Sequence, residues 1–237
     1  MKIKPIAFAA LAMVMLPMCA VAAAQAPNPN ARVIEVSGTG EAHAAPDLAT
    51  LNLAIETRGA TAAEAAGRNA ALAQKVVDAL KAKLGDKGKV WTGGYSLYPE
   101  YREPHGNEKP AITGYSAANS IAVETGALDL LGPIIDAAIS AGANRVNSLD
   151  FSLRDDTKAR SEAITRASKD AQAQAQALAA ALGVRLGPII KASTVAEVRP
   201  IPMMRAFAGA MPANAPTPVQ PGEVTVPATV SLTYEIQ

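Results

Sequence analysis

The sequence predicts an α+β fold in which antiparallel β-sheets pack against about three α-helices. Segments that alternate apolar and polar residues, the pattern of half-buried strands, occur near both ends of the chain. Three other segments repeat apolar residues at helical spacing. Because these helices interrupt strands that are predicted to be antiparallel, the pattern indicates helices packed on sheets.

The composition excludes several classes of protein. The chain has 237 residues, of which 49% are hydrophobic and 18% charged, and a single cysteine, Cys19. It is therefore neither disordered, nor collagen-like, nor held together by disulfides. A chain of this length buries roughly 70% of its unfolded surface. That suffices for one large domain or two intimate subdomains.

The N-terminus has the pattern of a Sec-type signal peptide, predicted to cover residues 1–24. Lys2 and Lys4 precede an apolar run over residues 6–16, which is about half the ~20 residues needed to cross a bilayer. The triplet Ala22-Ala23-Ala24 follows, so we expect cleavage before Gln25. The alternative is processing as a lipoprotein at Cys19.

The exported chain is expected to be a soluble periplasmic protein, with a linker over residues 25–31 and one domain over residues 32–237. Without Lys2 and Lys4, 20 Lys and Arg face 21 Asp and Glu. This balance lacks the basic footprint of a nucleic-acid-binding protein. No later run of 18 apolar residues predicts a transmembrane anchor.

The first predicted elements are two strands and a helix. Residues 34–41 and 49–56 alternate as strands, with a turn at Pro46-Asp47. Gly38 and Gly40 lie inside the first strand, which favours a bulge or a close backbone approach over a phosphate-binding loop. The helix is predicted to begin at a Thr61–Glu64 capping box and to end at Gly85. Its repeating apolar residues are Leu72, Val76, Leu80 and Leu84.

A long hairpin and a short helix come next. Val90–Tyr101 and Ile112–Thr125 read as strands joined by a turn at residues 104–108. One face of the hairpin is predicted to carry Tyr115, Ala117, Ile121 and Val123. The short helix, residues 128–141, is predicted to bury Leu131, Ile134, Ile135, Ala138 and Ile139.

The remaining chain predicts a strand around Phe151, the longest helix, and two more strands. The helix begins near Asp155-Asp156 and runs to Gly183. Its predicted inner stripe, small enough to lie close on a sheet, is Ile164, Ala167, Ala171, Ala175, Leu178 and Leu182. A strand is predicted over 187–198 and a last one over 224–236, in which Pro227 predicts an edge position or a bulge.

The order of these motifs resembles that of the SIMPL-domain family, described as a domain of unknown function. The resemblance spans roughly residues 32–236. It is carried by Val36-Ser37-Gly38-Thr39-Gly40-Glu41, Pro46-Asp47, Thr61-Ala62-Ala63-Glu64-Ala65, Gly114-Tyr115 with Val123, Leu131-Gly132, Gly142-Ala143, Leu149-Asp150-Phe151 and Leu182-Gly183. The resemblance implies an α+β envelope protein, in some members assembled into large hollow oligomers and associated with oxidative stress defence. It implies no catalytic residue.

Exposed aromatics and methionines form the candidate interaction surface. Five of the eight aromatics beyond the signal peptide lie between Trp91 and Tyr115, and the segment 200–222 holds six prolines and three methionines without any period. We interpret that segment as a flexible loop, and Met-rich surface repacks readily around a partner. Tyr95 and Tyr115 are expected to pack within the hairpin. The candidate residues are Trp91, Tyr98, Tyr101, Met203, Met204, Phe207 and Met211.

The leading hypothesis is a non-enzymatic protein that acts by self-association, as a homo-oligomer, or by binding an envelope partner, without a cofactor. The alternative is a metal-dependent hydrolase using Glu41, His43 and Asp47, because two of these residues alternate along a strand toward one face. A third reading is an envelope stress factor whose methionines take up oxidant.

Overall fold

The computed structural model describes residues 32–102, 110–195, 201–203 and 217–237. The predicted signal peptide, Cys19, the linker, and the hairpin turn at 104–108 lie outside the described residues. In chain order the elements are β1 Val33–Ala44, β2 Leu48–Gly59, α1 Ala62–Leu84, β3 Gly88–Arg102, β4 Ala111–Thr125, α2 Leu131–Ala141, β5 Arg145–Ser152, α3 Thr157–Leu182, β6 Leu186–Val195, β7 Ile201–Met203 and β8 Glu223–Ile236.

The strands form two antiparallel sheets, each covered on one face by helix. The first sheet has the order β1-β8-β6, with β7 also paired to β8, and α3 packs on it. The second sheet has the order β3-β4-β2-β5, and α1 and α2 cover it. Each pair of layers encloses its own hydrophobic core. The predicted α+β class is confirmed.

The first helix begins and ends as its sequence predicts. The Thr61 hydroxyl accepts a hydrogen bond from the Glu64 amide at 3.2 Å, and Glu64 Oε2 accepts one from the Ala60 amide at 3.0 Å. The carboxylate thus caps the amide one residue earlier than in the standard capping box. Gly85 closes the helix at φ +56°, a conformation that glycine adopts without steric cost.

The close approach predicted from Gly38 and Gly40 is confirmed, and it is the tightest contact between β1 and α3. A Cβ atom on Gly38 would lie 2.2 Å from the Ala171 nitrogen, and one on Gly40 would lie 2.4 Å from the Ala163 carbonyl oxygen. The facing row of α3 is buried and consists of Ala159, Ala163, Ala167, Ala171, Ala175 and Ala179. Bare glycine backbone therefore packs against methyl groups and helix backbone.

The prediction that Leu178 and Leu182 join the inner stripe of α3 is wrong, since both are exposed. Ile164 is partly buried beside the alanine row. The helix lies so close to the sheet that its buried row has space for methyl side chains, and the leucines are excluded to the flank. At the start of α3, hydrogen bonds from the Thr157 hydroxyl and amide hold the pKa of Asp155 below its ordinary value.

The helix α2 buries Leu131, Ile134, Ile135 and Ala138 as predicted, but Ile139 is exposed. At 100° per residue, Ile139 lies about 90° around the helix from the centre of the stripe formed by Leu131, Ile134, Ile135 and Ala138, at the border between core and solvent.

The segment 200–222 is ordered at both of its described ends, whereas a loop was predicted throughout. Ile201–Met203 pairs with β8 as β7. At the other end, Thr217 bonds the Asp136 carboxylate of α2 at 2.6 Å, and Val219 packs on the core of the second sheet. Residues 204–216 lie outside the described part of the chain.

Pro227 lies in the central strand of the first sheet, opposite Glu41 of β1. On the other side of β8, β6 pairs with residues 229–236 and β7 with residues 223–225. Among the described residues no strand pairs with 226–228 on that side. Pro227 thus lies at a gap between β6 and β7 along the central strand β8. A missing N–H that faces this gap removes no hydrogen bond to either of those two strands.

We predict that Gly38→Ala destabilises the fold by at least about 2 kcal/mol, because the added methyl group meets helix backbone that has no rotamer with which to yield. The measurement is the free energy of unfolding in urea. The matched control is Gly67→Ala at an exposed position of α1, where a Cβ meets nothing within 4 Å. That change should stabilise by about 0.5–1 kcal/mol. Equal effects at the two positions would contradict the close-packing interpretation.

Candidate association surface

Among the described residues five strands lie at sheet edges, namely β1, β6, β5, β3 and the three-residue β7, and they differ in how their edges are protected. The edge of β1 is covered by side chains of α3. The Thr39 amide donates to Asp170 Oδ2 at 2.9 Å, and Arg166 Nη1 donates to the Glu41 carbonyl at 2.7 Å. The backbone groups through which another strand would pair are therefore occupied in the middle of β1.

The edges of β6 and β5 are interrupted or short. Two irregularities in register, on either side of Ile189, break the pairing of β6 with β8. The strand β5 has eight residues and its own irregularity opposite Asn52/Leu53. Bulges and short length are ordinary devices that disfavour pairing at a sheet edge.

The edge formed by β3 is long and carries exposed apolar side chains. The strand has 15 residues and, among the described strands, pairs with β4 alone. The exposed fractions are 43% for Trp91, 54% for Tyr95, 64% for Tyr98 and 59% for Tyr101. Of the thirteen large apolar side chains exposed in the described residues, six belong to the β3–β4 hairpin, so apolar exposure is concentrated there. We call the edge of β3 that carries Trp91, Tyr95, Tyr98 and Tyr101 the β3 surface.

A bulge divides the β3 surface between two faces. Thr92 pairs with Ile121 and Gly94 with Ser120, so Gly93 is an extra residue in the ladder. Trp91 and Tyr98 pair with Ala122 and Ser116, which lie on the face away from the helices. Tyr95 and Leu97 pair with Asn119 and Ala117 and lie on the helix side. Aromatic side chains consequently project from both faces of the same edge.

Three of the candidate residues, Trp91, Tyr98 and Tyr101, lie together on β3. The backbone of Met203 belongs to β7 in the first sheet, whereas β3 belongs to the second. Met204, Phe207 and Met211 lie outside the described residues.

The expectation that Tyr95 packs within the hairpin is wrong, because its side chain is 54% exposed. Leu97, 37% exposed, and Ile112, 51% exposed, are further surface residues that sequence reasoning missed. The Gly93-Gly94 pair is the signal that could have found Tyr95 and Leu97. An extra glycine reverses the order in which the following side chains alternate between the faces. Residues that strict alternation would place on one face are therefore divided between two.

The structure does not assemble the alternative metal site. Glu41 and His43 lie on the exposed face of β1, and His43 Nδ1 shares a 3.0 Å hydrogen bond with the Thr225 hydroxyl. Asp47 Oδ1 accepts from the Arg154 amide at 2.7 Å at the junction before α3. Within the described part of the chain, no three His, Cys, Asp or Glu side chains could together hold a metal ion.

A shallow, open depression of about 320 Å³ lies at one end of the second sheet, lined by Glu56, Arg58, Asn144 and Arg145. Glu56 pairs with Arg145 at 3.2 Å and with Arg58 at 3.9 Å, and Arg58 also pairs with Glu100 at 2.8 Å. The side-chain amide of Asn144 accepts a hydrogen bond from the Glu56 N–H and donates one to the Glu56 carbonyl oxygen. These charges neutralise one another, so the arrangement holds strands together and presents no net charge to a ligand.

In the described ranges, none of the helices has the length and apolarity that crossing a membrane requires.

Comparison with known proteins finds relatives that match most of the chain in sequence. The 26 kDa periplasmic immunogenic protein of Brucella melitensis is 33% identical over 211 residues, which cover 86% of this chain and 84% of that protein. The uncharacterized protein YggE of Edwardsiella ictaluri is 30% identical over 182 residues, 76% of each chain. YggE of Escherichia coli K12 is 27% identical over 243 residues, spanning 100% of this chain and 95% of that one.

A family model described as "SIMPL: Protein of unknown function (DUF541)" matches residues 34–234, which include every described strand and helix in whole or in large part. The resemblance read from the order of motifs is confirmed. The chain therefore belongs to the SIMPL family.

Proposed function

We propose that this chain is a non-enzymatic periplasmic protein that works by associating, with further copies of itself or with an envelope partner, through the β3 surface. The observation that carries the proposal is the concentration of exposed aromatics on one sheet edge that no other described element covers. An unprotected, long, apolar edge is a template for pairing with another chain.

The apolar area at this edge is large for a surface that stays in water. A Tyr or Trp side chain buries about 150–250 Å² when it is covered. Four such residues at roughly half exposure present on the order of a few hundred Å², a size typical of interaction sites. The contrast with β1, whose edge is capped by Asp170 and Arg166, supports a role for the open edge.

Two of the three residues of the alternative site, and Glu56 in the open depression, have structural partners, which supports the non-enzymatic part of the proposal. His43 bonds Thr225, Asp47 holds the junction before α3, and Glu56 lies between two arginines. A general acid or base needs a position from which it reaches a substrate proton. These groups are committed instead to contacts between strands and turns.

The proposed location is the periplasm, and the proposed process is envelope or oxidative stress defence. The name of the Brucella relative and the predicted signal peptide support the location. N-terminal sequencing of the periplasmic form should begin at Gln25. The stress role follows the family resemblance, and it is wrong if a deletion strain resists peroxide as well as its parent does.

We predict that Trp91→Ser/Tyr95→Ser/Tyr98→Ser reduces self-association, or retention of an envelope partner, at least tenfold, because the variant removes most of the apolar area at the edge. Light scattering over a concentration series and pull-down from envelope extract are the measurements. The free energy of unfolding should change by about 0.5 kcal/mol or less per site, since exposed side chains contribute little to the fold.

The matched control is Leu178→Ser/Leu182→Ser, which removes exposed apolar side chains from α3. It should associate like the parent chain. If the unmodified chain is a monomer at every concentration and retains no partner, the proposed function is wrong.

A further inference from the structure

Resting on the proposed function, we infer that the partner at β3 is the β3 strand of a second copy, paired antiparallel about a two-fold axis at Tyr95. The two second sheets, four strands each, would then form one continuous sheet of eight strands. A two-fold axis perpendicular to that sheet keeps the helices of both copies on the same side. The inference depends on the register, which the bulge determines.

The bulge makes β3 complementary to itself. Residues directly opposite each other in an antiparallel pair share a face. Without a bulge, Trp91 and Tyr98 would lie on opposite faces because they are seven residues apart. Since Gly93 is extra, both lie on the face away from the helices. They can therefore stand opposite each other when one copy of β3 meets another.

With Tyr95 opposite its own copy and Gly93 left out of the ladder, the large side chains near the centre of β3 meet apolar or aromatic partners. Trp91 lies opposite Tyr98 of the second copy, and Thr92 lies opposite Leu97 of the second copy. Cross-strand aromatic pairs are among the stabilising pairs of a sheet. A two-fold axis makes every such pair occur twice.

Charge complementarity favours the same register. Lys89 and Glu100 lie on the face that carries Trp91 and Tyr98, since they pair with Glu124 and Gly114 of β4. The register centred on Tyr95 places Lys89 opposite Glu100 of the second copy at both ends of the interface, so Lys89 would share that carboxylate with Arg58, which pairs with it at 2.8 Å within its own chain. Opposite charges in this position stabilise a sheet, and like charges destabilise it.

Neighbouring registers lose these contacts. A shift by one pair in one direction puts Lys89 opposite Arg102 of the second copy, which is repulsive. The same shift in the other direction puts Gly94 opposite itself and Trp91 opposite Ser96. Pro99 lies opposite Val90 near the end of the ladder in the Tyr95 register, where a missing N–H removes at most one hydrogen bond at each end.

The direct test is disulfide cross-linking of the full chain in a Cys19→Ser background. Tyr95→Cys should form a covalent dimer under mild oxidation, because residues opposite each other have Cα atoms about 4.5–5.5 Å apart, within the disulfide range. The matched control is Tyr98→Cys, which in this register lies about 20 Å from its own copy. It should stay monomeric on a non-reducing gel, whereas a mixture of Trp91→Cys and Tyr98→Cys chains should cross-link.

A charge exchange provides the second readout. Lys89→Glu should weaken association roughly tenfold, because two attractive pairs become repulsive. Adding Glu100→Lys together with Arg58→Gln should restore most of the lost affinity. Arg58 is replaced as well because it pairs with Glu100 at 2.8 Å and would repel the new lysine. Lys191→Glu on β6 is the matched control and should have no effect.

The outcomes separate this inference from the proposed function. If the chain associates, but Tyr95→Cys fails to cross-link and Lys89→Glu associates normally, the register is wrong and association through some other contact stands. If the chain is monomeric and binds no partner, both are wrong. Selective cross-linking at Tyr95 together with rescue by the exchanged charges would establish the interface.

Discussion

The contact between glycine backbone on β1 and the alanine row of α3 is the constraint on which much of the first sheet depends. Gly38 and Gly40 remove the side chains that would separate the strand from the helix, and the alanines remove them from the other side. The close approach leaves no space for larger residues in the row. It accounts for the exposure of Leu178 and Leu182, although both are as apolar as typical core residues.

The same approach determines which sheet edge is protected. Because α3 lies against β1, its side chains reach around the strand, where Asp170 and Arg166 bond backbone groups that a neighbouring strand would otherwise use. No comparable capping of β3 is seen among the described residues, and that edge carries the aromatics. The protein thus combines one edge closed by its own helix with another that is open. In our proposal the open edge is where the protein acts.

Individual residues illustrate how far the sequence predicts the fold and the site. The capping box at Thr61 and the glycine end of α1 are local signals, and both are confirmed because few other arrangements satisfy the first amides and the last carbonyls of a helix. Trp91, Tyr98 and Tyr101 are exposed on one strand, and their role as an interaction surface stays a prediction. Tyr95 was misplaced because the effect of Gly93 depends on pairing with β4, a contact distant in sequence.

The sequence by itself determined the type, order and approximate ends of the described helices and of the described strands other than β7, and through the order of its motifs the family. These properties follow from side-chain periodicity, caps and turn residues, which act over a few neighbouring residues. Tertiary structure decided which strands became edges, which of them a helix would close, and on which side of a bulge each aromatic would lie. Those features arise where separate segments meet, as Gly94 and Ser120 do across the hairpin and Thr39 and Asp170 do over more than a hundred residues. A pattern within a few neighbouring residues does not specify such contacts.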